Sequence, residues 1–323
     1  MEQRALGRSG VEVSRVILGC GNFGGIGSSP AFFGQGESEA EAHALLDAAW
    51  SAGITTFDTA DAYGGGRSET YIGNWLRTKG SEVRERLVLT TKTFNPMEDG
   101  ADSGLAATRI RRQLESSLRR LGVEAVDLYL AHEQDPDTPL EETIGAFAEL
   151  QEEGKLRAYG GSNVDAKWLE EALRCAGQAG GHVACVQNSY SLLERSDEDD
   201  VLELCAREGV GYTPFSPLAG GWLTGKYRRG EPPPAGSRMT LRPGPYEHLR
   251  SNRTFDALEA FDEHARERGT SSTALALAWA LASPLVTAVV IGPRRPEQLR
   301  PALDALELEL PRLARESIGA LFA

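Results

Sequence analysis

Hydrophobic and polar positions along the chain fall into two rhythms. Short runs of apolar, β-branched or small residues at 16–18, 54–59, 87–92, 126–132, 158–163, 183–187, 210–214 and 287–291 predict buried strands. Stretches with apolar positions three and four apart, at 38–52, 69–79, 105–121 and 140–153, predict amphipathic helices, the acidic residues of the last falling on the solvent side. Eight strands alternating with helices predict an α/β fold with a parallel sheet, and the eightfold repeat predicts a closed (β/α)8 TIM barrel, one domain over residues 1–323. A doubly wound open sheet is the alternative, but its phosphate loop and second domain are not found in the pattern. Residues 5–13 read as a small hairpin that turns at Arg8 to Gly10 and plugs one end of the barrel. Residues 228–253, rich in Pro, Gly and Arg, form an extended loop at the C-terminal rim, either a lid or a flexible excursion over the site.

The strand over 54–59 runs into a small-residue, glycine-rich loop, so it delivers Asp58 and, five residues on, Tyr63. Alternation puts Asp58 and Thr56 on one face and Phe57 and Thr55 on the other. The other predicted strands also end on polar residues: Lys92, His132, Asn163 and Gln187. Any one of them alone reads as a turn former, a solvated charge or a satisfied partner. Five on one rim point together to a site, because barrel chemistry gathers at the C-terminal ends of the strands. Tyr63, with an ordinary pKa near 10, is a poor proton donor at neutral pH unless a cation favours its phenolate, and Lys92 is placed to be that cation. A buried lysine needs a carboxylate to stay charged, which Asp58 supplies, and His132 can orient a substrate oxygen. Proton donation to an oxygen suggests carbonyl reduction. None of these side chains carries hydride, so a nicotinamide cofactor is implied.

Composition narrows the remaining classes. With 34 basic and 47 acidic residues the net charge is −13, and no basic cluster appears, which argues against nucleic acid and anionic membrane as partners. The absence of a signal-like start and of an eighteen-residue apolar run leads to the expectation of a cytoplasmic protein. Cys20, Cys175, Cys185 and Cys205 show no C-x-x-C and no histidine at metal spacing, so they are expected to be buried thiols. No metal site is expected. A metal-dependent barrel enzyme would need several His, Asp or Glu side chains converging, and of five histidines only His132 stands at a strand end.

Two glycine motifs are misleading. Gly19-Cys20-Gly21-Asn22-Phe23-Gly24 matches G-x-G-x-x-G, but loop rather than helix follows it, so it is not a Rossmann fingerprint. Gly220 to Lys226 matches G-x-x-x-x-G-K, yet Tyr227 replaces the Ser or Thr that would bind magnesium. Lys226 can still meet a phosphate.

Over nearly its whole length the chain resembles the aldo-keto reductases. Asp58, Tyr63, Lys92 and His132, set in FDTADAYG, TTK and DLYLAH, are similar to that family's catalytic tetrad. The resemblance implies reduction of a small-molecule aldehyde or ketone by NADPH, with NADP+ as the oxidised form and Tyr63 as proton donor. It further implies that Asp58, Ser162, Asn163 and Gln187 adjoin or hold the nicotinamide, on which Phe215 stacks. Gly21, Asn22 and Phe23 resemble the loop beside the nicotinamide ribose, and Ser216, Pro217, Leu218, Gly221 and Lys226 the pyrophosphate loop. Gly292, Arg294 and Gln298 resemble the adenosine-phosphate end, with Arg294 favouring NADPH over NADH. Two departures stand out, Ala302 in place of a frequent Asn and Phe215 in place of Tyr or Trp. A non-catalytic cofactor-binding subunit, like potassium-channel β-subunits, is the alternative; the resemblance implies Asn there at the position of His132. Substrate identity is expected to rest on loops, with Phe23, Phe94, Trp222 and residues 228–253 as candidates for an apolar mouth.

Overall fold

The computed structural model describes residues 1–323 and folds them as an eight-stranded parallel barrel behind an N-terminal hairpin. Strands β1 (Gln3–Ala5) and β2 (Glu12–Ser14) pair antiparallel as the hairpin. The barrel consists of β3 (Val16–Gly19), β4 (Thr56–Asp58), β5 (Val88–Thr93), β6 (Val126–Ala131), β7 (Leu156–Ser162), β8 (Cys185–Gln187), β9 (Gly211–Tyr212) and β10 (Val289–Ile291), in the order β10-β3-β4-β5-β6-β7-β8-β9. The amides of Thr287 and Val290 donate to the carbonyls of Tyr212 and Pro214, each at 2.8 Å, and join the last strand back to β9. Outside the ring lie α1 (Glu39–Ser51), α2 (Arg67–Arg77), α3 (Ser81–Arg86), α4 (Ala107–Leu121), α5 (Leu140–Glu152) and α6 (Ala166–Gln178). They are followed by α7 (Val201–Glu208), α8 (Arg238–Leu241), α9 (Asn252–Glu267), α10 (Ser272–Leu281), α11 (Arg300–Glu307) and α12 (Arg312–Ala320).

Strand alternation sorts the side chains into two cores. Leu128 and Leu130 of β6, Ala158 of β7, Cys185 of β8 and Val290 of β10 point into the barrel, where they meet Leu6, Val11 and Val13 of the hairpin. The hairpin is therefore a plug, as its sequence predicts. Phe57, Leu89, Tyr129, Val186 and Val289, of opposite parity, pack outward against the helices. The four cysteines are free and buried. Below the rim the barrel is filled mainly by apolar and threonine side chains, and the charged and amide side chains of the strands gather at its C-terminal rim.

Two expectations change in detail. The strand predicted over 210–214 is regular only at Gly211–Tyr212, since Pro214 has no amide to donate to a ladder. Residues 228–253 are folded onto the rim: Met239 and Leu249 are buried, Arg238 donates to the Asn22 side chain at 3.1 Å, Arg242 to the carbonyl of Ile26 at 3.0 Å, and the hydroxyls of Tyr246 and Ser216 lie 2.8 Å apart. No helix is long and apolar enough to cross a membrane.

Candidate active site

The inward parity of the strands brings Asp58, Lys92, His132, Ser162 and Gln187 to one rim. Asp58 ends β4 beside Thr90 of β5, Lys92 is level with Leu130, and Ser162 pairs with Gln187. Lys92, fully buried, donates to Asp58 Oδ1 at 2.5 Å and to the Thr59 carbonyl at 3.0 Å. Gln187 donates its amide to Asp58 Oδ2 at 2.9 Å, so both oxygens of the buried carboxylate are satisfied. Burial alone would discharge Lys92; Asp58, with Tyr63, more than offsets it and holds the ammonium above its ordinary pKa. Removing either partner would strand a buried charge, at a cost of about 3 to 5 kcal/mol.

Tyr63 stands on the short 3-10 turn Tyr63–Gly65 that follows β4, half-buried, with its hydroxyl 3.4 Å from His132 Nε2 and Lys92 Nζ 5.2 Å from its ring centre. Gly21 lies against the phenol ring, where a Cβ would make ordinary contact at 3.5 Å. Burial raises the phenol above its ordinary pKa, opposed by the Lys92 ammonium, so Tyr63 is protonated at neutral pH and has a cation beside it. Burial, reinforced by Lys92, keeps His132 well below the usual imidazole range. It is neutral, and its Nδ1 has no partner. A neutral imidazole, a protonated phenol and a fixed ammonium can give a proton to an oxygen and hold the charge left behind.

Beside this cluster Asn163 adopts a left-handed backbone (φ 56°) and donates to the carbonyl of His132 at 2.9 Å, leaving its Oδ1 without a protein donor. Ser162 donates to the Gln187 carbonyl at 2.7 Å. Phe215 bridges to Ser189 beyond the end of β8 and packs half-buried at the top of the barrel core. Ser216 and Ala219 have φ of 54° and 46°; with Asn163 they are the chain's non-glycine residues of positive φ, and all three sit at this rim. Such backbone costs about 1 to 3 kcal/mol per residue and clusters where a ligand approaches the main chain.

A second cluster lies along the rim. Pro217, Leu218, Gly220 and Gly221 form a turn at whose end Lys226 folds back across Gly221. Desolvation and the nearby charges of Arg238 and Arg294 lower the Lys226 pKa, and desolvation likewise lowers that of Arg238. Three cations thus crowd one volume. Gly292 opens onto the same space, where a Cβ would meet only the Asn22 amide, at 4.0 Å. Crowded cations beside the open Gly292 fit a polyanion, and a polar cluster with a free Asn163 Oδ1 on the same rim fits a carboxamide, the two ends of a dinucleotide. At the same end Gln298 Oε1 caps the turn, accepting from Arg294 N at 2.7 Å.

Arg238 and Glu37 are absent from the residues that sequence reasoning singled out. Glu37 comes from an irregular loop and Arg238 opens the one-turn helix α8, too short to show a period that announces a side chain's direction; the only sequence signal was the arginine content of residues 228–253. Trp222 does not line the mouth. The turn after Leu218 directs it inward, 5.1 Å from Tyr227 and 5.5 Å from Phe255 between ring centres, and Phe23 is likewise buried.

Residues 15–320 match the family model described as the aldo/keto reductase family. The chain is 37% identical to the uncharacterized oxidoreductase YrpG of Bacillus subtilis, covering all of this chain (100%) and 96% of that protein. It is 35% identical to a putative voltage-gated potassium channel subunit beta of Schizosaccharomyces pombe, over 94% of this chain and 88% of that one. It is 32% identical to an NADH-specific methylglyoxal reductase of Escherichia coli, over 99% of each.

Proposed function

The chain belongs to the aldo/keto reductase family, and we propose that it is a cytoplasmic NADPH-dependent reductase of small aldehydes or ketones in which Tyr63 is the proton donor. The observation that carries this reading is the buried relay Gln187–Asp58–Lys92 beside a phenol that lies 3.4 Å from a neutral histidine. The nicotinamide coenzyme supplies hydride when bound. Asn163 and Ser162 would hold its carboxamide and Phe215 its ring, while Ser216, Pro217, Leu218, Gly221 and Lys226 would hold the pyrophosphate. Gly21, Asn22 and Phe23 would flank the ribose, Gly292 and Gln298 the adenosine, and Arg294 with Arg238 the 2′-phosphate. His132, as the Nε2–H tautomer, donates to the substrate oxygen and aims it at the Tyr63 hydroxyl. Tyr63 then gives up its proton, Lys92 stabilises the phenolate, and Asp58, fixed by Gln187, keeps Lys92 charged throughout.

The relative named as NADH-specific makes coenzyme choice a matter of local residues. Here Arg294 and Arg238 favour a 2′-phosphate through charge-assisted hydrogen bonds that a hydroxyl cannot match. The similarity to a putative potassium-channel subunit supports a second reading, coenzyme binding without turnover. One experiment separates them. Coenzyme oxidation is followed over a panel of aldehydes, ketones and sugars, with wild type and Tyr63→Phe. Turnover by the wild type and a fall of at least about 10²-fold in the variant are expected. A variant that reduces its best substrate at the wild-type rate would remove Tyr63 from the mechanism, and stoichiometric NADPH binding with no turnover on any substrate would support the second reading.

A further inference from the structure

Among the cations at the adenosine end lies one acid. Glu37 is 4% exposed, and its Oε1 is paired with Arg294 Nε. Its Oε2 is shielded from water and has no partner. The main chain places this side chain firmly. Glu37 N donates to the Asn22 carbonyl at 2.8 Å, its own carbonyl accepts from Gly24 at 2.9 Å, and any side chain on the preceding Gly36 would collide with the backbone of Asn22 and Gly25. These bonds hold the loop without help from the carboxylate, whose desolvation is a cost that the fold does not require. Its charge reaches the ligand-facing groups: it acts on Arg238 as well as on Arg294. Arg294 is held from a second side, by the Gly236 carbonyl at 3.1 Å.

Resting on the coenzyme reading above, we infer that Glu37 sets coenzyme selectivity, by neutralising Arg294 from within the loop and leaving one buried, unpartnered carboxylate oxygen behind it. The field of the carboxylate opposes a 2′-phosphate, which carries negative charge, and leaves a neutral ribose hydroxyl almost unaffected. Glu37 and Arg294 therefore pull in opposite directions, and the pair holds the NADPH preference below what Arg294 and Arg238 alone would give.

The test is the dissociation constants of NADPH and NADH, measured by calorimetry for wild type, Glu37→Gln, Glu37→Ala and Arg294→Ala. Both Glu37 variants should raise the ratio of NADPH to NADH affinity about tenfold, the order expected for removing one partly shielded charge near a phosphate. NADH binding that stays within a few-fold of wild type shows that the site is intact. An unchanged or lowered ratio in both variants would overturn the inference, the lowered one making Glu37 a positioning group for Arg294. Failure of the underlying reading looks different: Arg294→Ala would lose both coenzymes equally, or the wild type would bind neither.

Discussion

At the scale of single residues, Asp61 is the group whose environment conflicts most with its charge. It is completely buried beneath the turn that carries Tyr63, and neither carboxylate oxygen finds a hydrogen bond of normal geometry. Glu69, also fully buried, lies near enough to repel it and is itself held by Arg120 at 2.7 Å and Thr91 at 2.5 Å. Burial is the main cause that raises the Asp61 pKa from 3.8 to about 7. Because the folded value exceeds the unfolded one, the native state keeps a proton that the unfolded chain releases, so stability is greatest below the unfolded pKa and falls as pH rises through about 7. A gap of roughly three pKa units corresponds to about 4 kcal/mol at pH 8. Asp61→Asn abolishes that loss. Thermal unfolding at pH 5 and pH 8 should show a variant whose advantage over wild type grows by several degrees at the higher pH; an advantage equal at both values would mean that the Asp61 charge is compensated.

At the scale of elements, the site depends on backbone meeting backbone. The loop after β3 and the turn after β4 touch through glycines: a Cβ on Gly25 would sit 2.7 Å from the Gly64 Cα, and one on Gly64 would sit 2.6 Å from the Phe23 carbonyl. Gly25→Ala must therefore push the Tyr63 turn away from the Asn22 loop. A misplacement approaching 1 Å costs up to about 10²-fold in rate, so kcat is expected to fall 10- to 100-fold while circular dichroism and coenzyme affinity stay close to wild type. An unchanged kcat would show that the turn yields without moving the phenol. The same contrast between strand and loop explains what the sequence made legible. Asp58, Lys92, His132 and Gln187 were readable because a period of two fixes their direction, and α1 because its apolar positions recur three and four apart. Alternation put Gln187 inward, but it could not tell that the side-chain Nε2 would bind Asp58. The helix α10 was not assigned from the pattern, because it is buried on every side and so has no apolar stripe. Glu37 and Arg238 lay on segments whose course only the tertiary packing determines.

At the scale of the whole molecule, a chain of net charge −13 must attract a polyanion to a rim that holds Lys226, Arg238 and Arg294. The two fields have different ranges. At 0.01 M ionic strength the Debye length is about 30 Å, comparable with the protein, so an approaching coenzyme feels the entire negative surface. At 0.15 M it is about 8 Å, and only charges close to the site still act. The distant repulsion is thus screened first, and the local attraction, shorter in range and partly desolvated, survives it. The association rate constant of NADPH is expected to rise about two- to threefold between 0.01 and 0.15 M salt and to fall again toward 1 M, where the Debye length of about 3 Å screens the cations themselves. Stopped-flow quenching of tryptophan fluorescence measures this directly. A rate constant that falls monotonically from the lowest salt would mean that the three cations govern the approach at every distance, and that the acidic surface faces elsewhere.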